Sequence, residues 1–436
     1  MSQIKSLPSE SPWLTDRIRG VPAGAAPFPA SEIAEKRWRP AEGAMALPVL
    51  TLDEAAFVNN RDLMLRYAAE HGALIAPHAK TPMAPALARS LVEGGAWAAT
   101  VADTRQAAVM ADAGILRLIH ANEAGGLFGA RRLASFVAQR PYIEIYVFAD
   151  SLAAVQALDA AWRDNPRLPP LRALVEVGAG RAGARTFAEA KVVAEAIAAT
   201  QGRLTLAGVA TYEGSAARAT LDETLEAIAA LMTLAADALA VARGLAGPNT
   251  KLIITAGGSA YFDLVVGGLK LAIERDGRTS LVLRSGSIFF HDHGIYDRSL
   301  AALDERAGFE LGGEVLAARS AFRPALRVWA EVLSRPEPDL AICGLGMRDV
   351  SFDHDLPKPL VIHRAGRALA SAPAGRVMKL NDQHAFLAVA ADDEITVGDI
   401  VEFGVSHPCT TLDRYSFIFG VDEQGFVRNA FPTYFG

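Results

Sequence analysis

Lys80 closes an apolar stretch, within Pro77-His78-Ala79-Lys80-Thr81-Pro82. A lysine at the end of an apolar strand points toward a cleft and is partly desolvated. Desolvation lowers an amine's pKa, and the neutral amine is the nucleophile that forms a Schiff base. Standing alone, such a lysine is an ordinary surface residue. Gly257-Gly258-Ser259 and Gly286-Ser287 offer a second chemistry. Glycines let backbone N–H groups approach an anion, and a following helix N-terminus favours it. Taken singly, these are plain turns. His407-Pro408-Cys409 offers a third. In a strand, residues two apart share a face, so this His and Cys can share one metal. N plus S donors suit zinc. The alternative is a half-buried histidine beside a packed cysteine.

The elements that must position these groups follow a regular rhythm. Strand patterns fall at 74–78, 98–102, 116–121, 143–149, 171–177, 204–211, 252–256 and 281–284. A helical pattern at 53–70 precedes them. Others, at 84–93, 104–113, 127–139, 151–161, 187–200, 221–244 and 262–272, lie between or after. Eight strands with intervening helices predict an α/β fold, a (β/α)8 TIM-type barrel, with an open doubly wound sheet as the rival. After about residue 290 the segments 325–333, 340–343, 360–363, 368–370, 385–389 and 399–405 are short, strand-like and separated by Pro, Gly and Asp. They predict a mostly β C-terminal domain. The Pro/Ala/Gly-rich stretch 21–32 reads as a strap over the fold. The expected organisation is an N-terminal extension (1–48), the barrel (49–290) and the β domain (291–436).

Composition narrows the function classes. The 43 basic residues against 49 acidic ones leave a net charge of -6 with no basic stripe, which argues against nucleic acid. No run of about 18 apolar residues stands out as a membrane span. The polar N-terminus lacks a signal-peptide core, so a cytoplasmic protein is expected. Two cysteines, Cys343 and Cys409, exclude a disulfide framework. Cys343 reads as strand packing. His291-Asp292-His293 could bind metal by residue type, but where the barrel hands over to the β domain it reads rather as a solvated turn. His78 reads as a packed or hydrogen-bonded strand residue. His71, His354 and His363 have no distinguishing context.

Barrel active sites lie at the carboxyl ends of the strands, and phosphate sites typically follow strands seven and eight. The strand ends here are polar: Lys80, Asp103, His120, Asp150, Glu176 and then Arg181, Tyr212-Glu213-Gly214, Gly257-Gly258-Ser259 and Ser285-Gly286-Ser287. The two glycine-rich loops fall on the seventh and eighth ends. A phosphate cradle across the barrel from a strand-end lysine fits a phosphorylated aldehyde, pyridoxal phosphate.

Pro77-His78-Ala79-Lys80-Thr81-Pro82 resembles the cofactor-lysine motif of the fold-type III pyridoxal phosphate enzymes. More narrowly, the chain resembles the D-serine dehydratase and D-threonine aldolase branch, with its alanine-racemase-like barrel. Thr211-Tyr212-Glu213-Gly214, Ala256-Gly257-Gly258-Ser259, Arg284-Ser285-Gly286-Ser287, Gly398-Asp399-Ile400 and His407-Pro408-Cys409-Thr410-Thr411 carry the likeness over about 50–436. The resemblance implies roles. Lys80 would carry the cofactor and move the substrate's α-proton. Arg181 would sit near the ring's 3-hydroxyl. Gly258, Ser259, Gly286 and Ser287 would hold the phosphate. Tyr212 and Arg284 compete for the pyridine nitrogen. His407 and Cys409 would hold a divalent metal, and the His-x-Cys form belongs to the dehydratases where the aldolases carry His-x-Asp. His384 matches a pocket-lining segment. The implied partners are a small D-amino acid and a second copy of the chain in a homodimer.

The expected activity is a lyase: pyridoxal phosphate- and metal-dependent conversion of a β-hydroxy D-amino acid to a 2-keto acid and ammonia. The rivals are a D-threonine aldolase, which breaks Cα–Cβ, and an amino-acid racemase, which needs no metal. A non-catalytic pyridoxal phosphate carrier needs no β domain, and a metal-hydrolase barrel lacks a clear His/Asp ligand set at these strand ends.

Overall fold

The computed structural model describes residues 12–306, 308–369 and 375–435. Ala370 and the first eleven residues, parts of the strand and leader readings above, lie outside them.

All eight barrel strands form: β1 (Ala73–Ile75), β2 (Ala99–Val101), β3 (Arg117–Glu123), β4 (Glu144–Ala149), β5 (Leu171–Glu176), β6 (Leu204–Ala210), β7 (Leu252–Ala256) and β8 (Thr279–Leu283). They are parallel, in the order β1-β8-β7-β6-β5-β4-β3-β2. The curl closes between β1 and β2. There Trp97 N–H donates to the Ile75 carbonyl, Thr100 N–H to Pro77 and Ala79 N–H to Thr100, each at 2.8 Å. Side chains fill the interior, with Ala76, Ile119, Phe148, Leu174, Ile253 and Val282 meeting at the axis. The barrel is therefore a packed core with its chemistry confined to the rim. Gly208, at φ +136, permits the register shift between β5 and β6; a Cβ there would lie 1.8 Å from the Ile253 carbonyl oxygen.

The surrounding helices start where their caps dictate. Asp53, Asp103 and Ser151 each accept a backbone N–H of the first turn. Thr186 and Thr220 form capping boxes with Glu189 and Glu223. One of these helices, Leu221–Ala246, is long and apolar enough to cross a membrane by length and composition, contrary to the expectation that no such stretch exists. Its apolar face, Ile228, Leu231, Ala235 and Leu239, is buried, and the helix packs against β6 and the neighbouring barrel helices.

The C-terminal part is mostly β. Its sheet runs Arg367–Ala368, Lys358–Arg364, Ile400–Gly404, Leu326–Glu337, Leu340–Cys343, Ala385–Ala388, Arg376–Leu380, all antiparallel. Strand Val49–Asp53 pairs with Leu326–Glu337 and with Phe417–Val421, so the chain enters the barrel from the β domain's sheet. Helix Ile295–Arg306 interrupts the β pattern in a region whose sequence shows little helical period. Residues 12–48 lie across this sheet. Leu14, Val21, Phe28 and Ile33 are buried against Val49, Trp329, Phe419 and Val427. The strap is thus an apolar cover of the β domain.

Candidate active site

Lys80 follows the His78–Thr100 bridge that closes the barrel, on the turn after β1. Its tip stays open to solvent at the barrel mouth. Its surroundings are dense, and desolvation lowers the amine's pKa; the Cys409 thiol opposes this, while Arg181 and Arg284 reinforce it. Gly286 packs beneath the same turn. A Cβ there would stand 2.8 Å from the His78 Cβ, so only glycine lets the first and eighth strand ends touch.

Arg284 is buried and held by Thr211 O (2.6 Å) and Thr255 Oγ1 (2.8 Å). Burial lowers it to about 10, with Glu213 and Glu176 opposing. Glu213 is fully buried and accepts N–H from Gly257 (3.0 Å) and Gly258 (2.6 Å). The Gly258 N–H predicted to face a phosphate is therefore engaged by a carboxylate of the chain. At the junction of the neighbouring loops, the N–H groups of Gly286 (3.3 Å) and Ile288 (3.1 Å) donate to Ser259 Oγ. Tyr212 lies over Gly258, and the Arg181 guanidinium stands 5.3 Å from its ring centroid. Arg181, Tyr212 and Arg284 thus share one side of the mouth. Deeper on that side, Glu176 faces Glu123. Burial first, then Glu123, pushes the Glu176 carboxyl up from its ordinary value. Its sequence signal was weak, because Glu123 lies past the bulge in β3.

The β domain supplies the opposite side. His407 and Cys409 do not lie in a strand: His407 caps the short helix Pro408–Leu412. Proline at the first helical position, with its fixed φ, starts the turn there. The two side chains still pair. Burial pulls the imidazole down, but Cys409 and Asp353 outweigh it and raise His407 to about 9. Burial pushes the thiol up, yet His407, Ser287 and Thr81 bring Cys409 below its ordinary value. Cys409 Sγ lies 3.1 Å from Ser287 Oγ and 3.5 Å from Thr81 Oγ1, one residue after the lysine. Ser287 thereby serves the thiol in this structure, rather than joining Ser259.

Several functional candidates escaped the sequence. Asp353 Oδ2 lies 2.7 Å from His407 Nδ1, and Thr410 Oγ1 donates to Asp353 Oδ1 at 2.8 Å. His354 packs edge-on against His407, with ring centroids 5.0 Å apart. Tyr296 reaches Ser287, and burial raises its hydroxyl pKa. His291-Asp292-His293 is not a solvated turn. His291 and Asp292 are buried, and Asp292 Oδ1 accepts the N–H groups of Gly294 and Tyr296 that open helix Ile295–Arg306. The segment is pressed against the β sheet: a Cβ at Gly404 would lie 2.4 Å from His293 Nδ1. His384 is exposed on the turn joining two strands. Cys343 is fully buried in its strand.

The donor chemistry fits both groups implied by the sequence. For pyridoxal phosphate there is a lysine amine, glycines whose Cβ positions are filled by neighbours, two guanidinium groups and the Ser259 junction. For a divalent cation there is the His407–Cys409 pair. Asp353, His354 and His407 also offer ligand atoms within 4.8 Å of one another.

Residues 52–271 match the alanine racemase N-terminal domain, and residues 325–421 match the "Putative serine dehydratase domain". None of the curated proteins matches the chain. Among solved structures, D-threonine aldolase from Filomicrobium marinum superposes with TM-score 0.73 at 24% identity, covering 89% of this chain and 95% of that one. D-threo-3-hydroxyaspartate dehydratase from Delftia sp. HT23 gives 0.70 at 20%, covering 91% and 99%. The alanine racemase of Clostridium difficile 630 gives 0.57 at 14%, covering 87% and 97%. At these identities the likeness speaks for a shared fold. With the barrel domain matched over half of the chain and the C-terminal domain matched as well, the chain belongs to the fold-type III pyridoxal phosphate family, with an alanine racemase-type barrel and a serine dehydratase-type β domain.

Proposed function

We propose that the protein is a lyase acting on β-hydroxy D-amino acids, releasing a 2-keto acid and ammonia with the help of pyridoxal phosphate and a divalent metal. One observation carries the reading. The Cys409 thiol, paired with His407, touches Thr81, the residue after Lys80. A metal-binding pair and a cofactor lysine thus face the same small space.

Pyridoxal phosphate bound to Lys80 supplies an electron sink for the charge left at the α-carbon. A divalent metal on His407 and Cys409, with Asp353 beside them, supplies Lewis acidity toward the substrate's β-oxygen. The chain's own groups do the rest. Desolvation and two guanidinium groups favour the neutral Lys80 Nζ, which takes the α-proton. Arg284 is fixed by Thr211 and Thr255, and its charge is balanced by Glu213. Asp353 orients the His407 ring through Nδ1, leaving Nε2 for a metal. Thr81 and Ser287 hold the thiol sulfur toward the barrel. The D preference and the metal's identity as zinc belong to the same proposal.

A second reading is aldolase cleavage to glycine and an aldehyde. The carboxylate of Asp353 against His407 favours it, since it adds an oxygen donor to the pair. Purified protein given a panel of β-hydroxy D- and L-amino acids tests both. Keto acid and ammonia from D substrates are expected. Aldehyde and glycine would replace the dehydratase reading with the aldolase one.

A further inference from the structure

The strap does more than cover apolar surface. Arg19 reaches from it into the loop 344–357, which carries Asp353 and His354. Its guanidinium donates to Asp349 Oδ1 at 2.6 Å and to the Arg348 carbonyl at 3.2 Å, and it stands 5.4 Å from the Tyr415 ring centroid. Asp349 is buried and knits the loop: its Oδ2 accepts the Gly346 N–H at 2.8 Å, and its carbonyl accepts the Tyr415 hydroxyl at 2.8 Å. Two residues on, Ser351 joins the metal-donor segment. Its N–H donates to Thr411 Oγ1 (3.1 Å), and its hydroxyl meets Ser406 Oγ (3.0 Å) and accepts the His407 N–H (3.1 Å). Asp353 then closes on His407 itself. The path from Arg19 to His407 is short: a salt bridge to Asp349, two residues of backbone to Ser351, and a hydrogen bond to His407.

The seat of Arg19 is built. Gly20, at φ +94, sits flat against the sheet; a Cβ there would lie 2.6 Å from the Phe419 ring and 2.7 Å from Val49. The antiparallel Gly20–Ala46 bridge ties it to the far end of the strap. A side chain at position 20 would lift Arg19 from Asp349. Without Arg19, a buried carboxylate loses its only salt-bridge partner among the described residues.

We propose that Arg19 is a positioning residue: through Asp349 it fixes the loop 344–357, and thereby the contact of Asp353 with His407. The consequence for metal affinity rests on the metal reading above; the consequence for loop order does not. Groups that orient a metal-binding imidazole typically change affinity by about 10- to 100-fold when lost.

The test compares wild type, Arg19→Ala, Arg19→Lys and Trp13→Ala, an exposed residue of the same strap that pairs with Pro29. Hydrogen–deuterium exchange is followed over 344–357, and Zn2+ alone is titrated against a competing chelator. Arg19→Ala should speed exchange in that loop and weaken Zn2+ about tenfold, while cofactor absorbance on Lys80 is unchanged. Arg19→Lys keeps one charged donor and should recover part of both effects. It also keeps the question answerable should Arg19→Ala fail to fold. Trp13→Ala should alter neither. Unchanged exchange in Arg19→Ala, or in Arg19→Lys if only that variant folds, overturns the proposal. Faster exchange with no Zn2+ uptake by wild type would support the strap's hold on the loop and overturn the metal reading instead.

Discussion

The two walls of the site are assembled by different means. On the barrel wall each group follows a strand end, Lys80 the first, Gly257 the seventh, Arg284 and Gly286 the eighth, and they arrive together because parallel strands end on one rim. On the β-domain wall nothing shares a rim. His407 and Cys409 stand at a short helix, and the Asp353 carboxylate reaches His407 from a loop 54 residues earlier. The first wall is a consequence of topology and tolerates change in its loops. The second depends on individual hydrogen bonds, so its geometry is easier to lose without losing the fold.

The comparison breaks most plainly at Lys80. Lys80→Ala should remove both the cofactor's attachment and the α-proton's acceptor, lowering turnover by roughly a thousandfold or more. Borohydride reduction and peptide mapping of wild type should place the pyridoxyl label on Lys80. Label recovered on another lysine would dissolve the barrel wall as described.

Cys409→Ala and His407→Ala sharpen the contrast, because they strike only the second wall. Elimination should fall on the order of a hundredfold, since a hydroxide without Lewis-acid help leaves poorly. Exchange of the substrate's α-hydrogen with solvent should survive, because that step uses Lys80. Chelation should mimic the variants, and added metal should restore the chelated wild type. Elimination at the wild-type rate by metal-free Cys409→Ala would sink the metal role.

The same difference explains what was legible in the sequence. The barrel strands show as apolar runs at regular spacing, and the rim residues could be read because strand ends have a known place. The glycine loops were seen, but not that Glu213 already occupies the Gly257 and Gly258 N–H groups. A glutamate beside a tyrosine at a strand end carries no sign of which backbone it will meet. Asp353 and His354 lay hidden because loop-to-loop contacts have no period. The burial of His291 was missed because its left-handed backbone (φ 46) and its packing on the sheet arise from tertiary fit, against a local pattern that reads as a turn.

Glu213 offers the next test, on the barrel wall. Glu213→Ala would strand the buried backbone N–H groups of Gly257 and Gly258. A buried donor left unpaired costs about 1–3 kcal/mol, so the two together predict a drop of about 2–6 kcal/mol in denaturant unfolding. A loss under about 1 kcal/mol would mean that both donors find other partners.

The smallest effect lies at the seam between the two walls. Glu54 opens the helix that follows strand Val49–Asp53, and its Oε1 accepts the Asn429 side-chain N–H at 2.7 Å. Burial raises its pKa from 4.5 to about 7; the Asn429 bond opposes this, while Asp422 and Asp53 add to it. Between those two values the folded chain holds a proton that the unfolded chain has released. Stability contributed by this proton is complete below about pH 4.5 and is lost as pH rises through about 7. Glu54→Gln keeps an oxygen for Asn429 and has no charge to bury. It should therefore flatten the pH dependence between those limits and raise stability at pH 8 by up to about 3 kcal/mol. Because Glu54 links the barrel's first helix to the β domain's last strand, both walls should gain together. Hydrogen exchange followed by peptide mapping in urea reads the β sheet through the strand that holds Trp329 and the barrel through the helix that holds Trp162. A single shifted transition would show the walls unfolding as one unit, and a shift in only one probe would show that they separate.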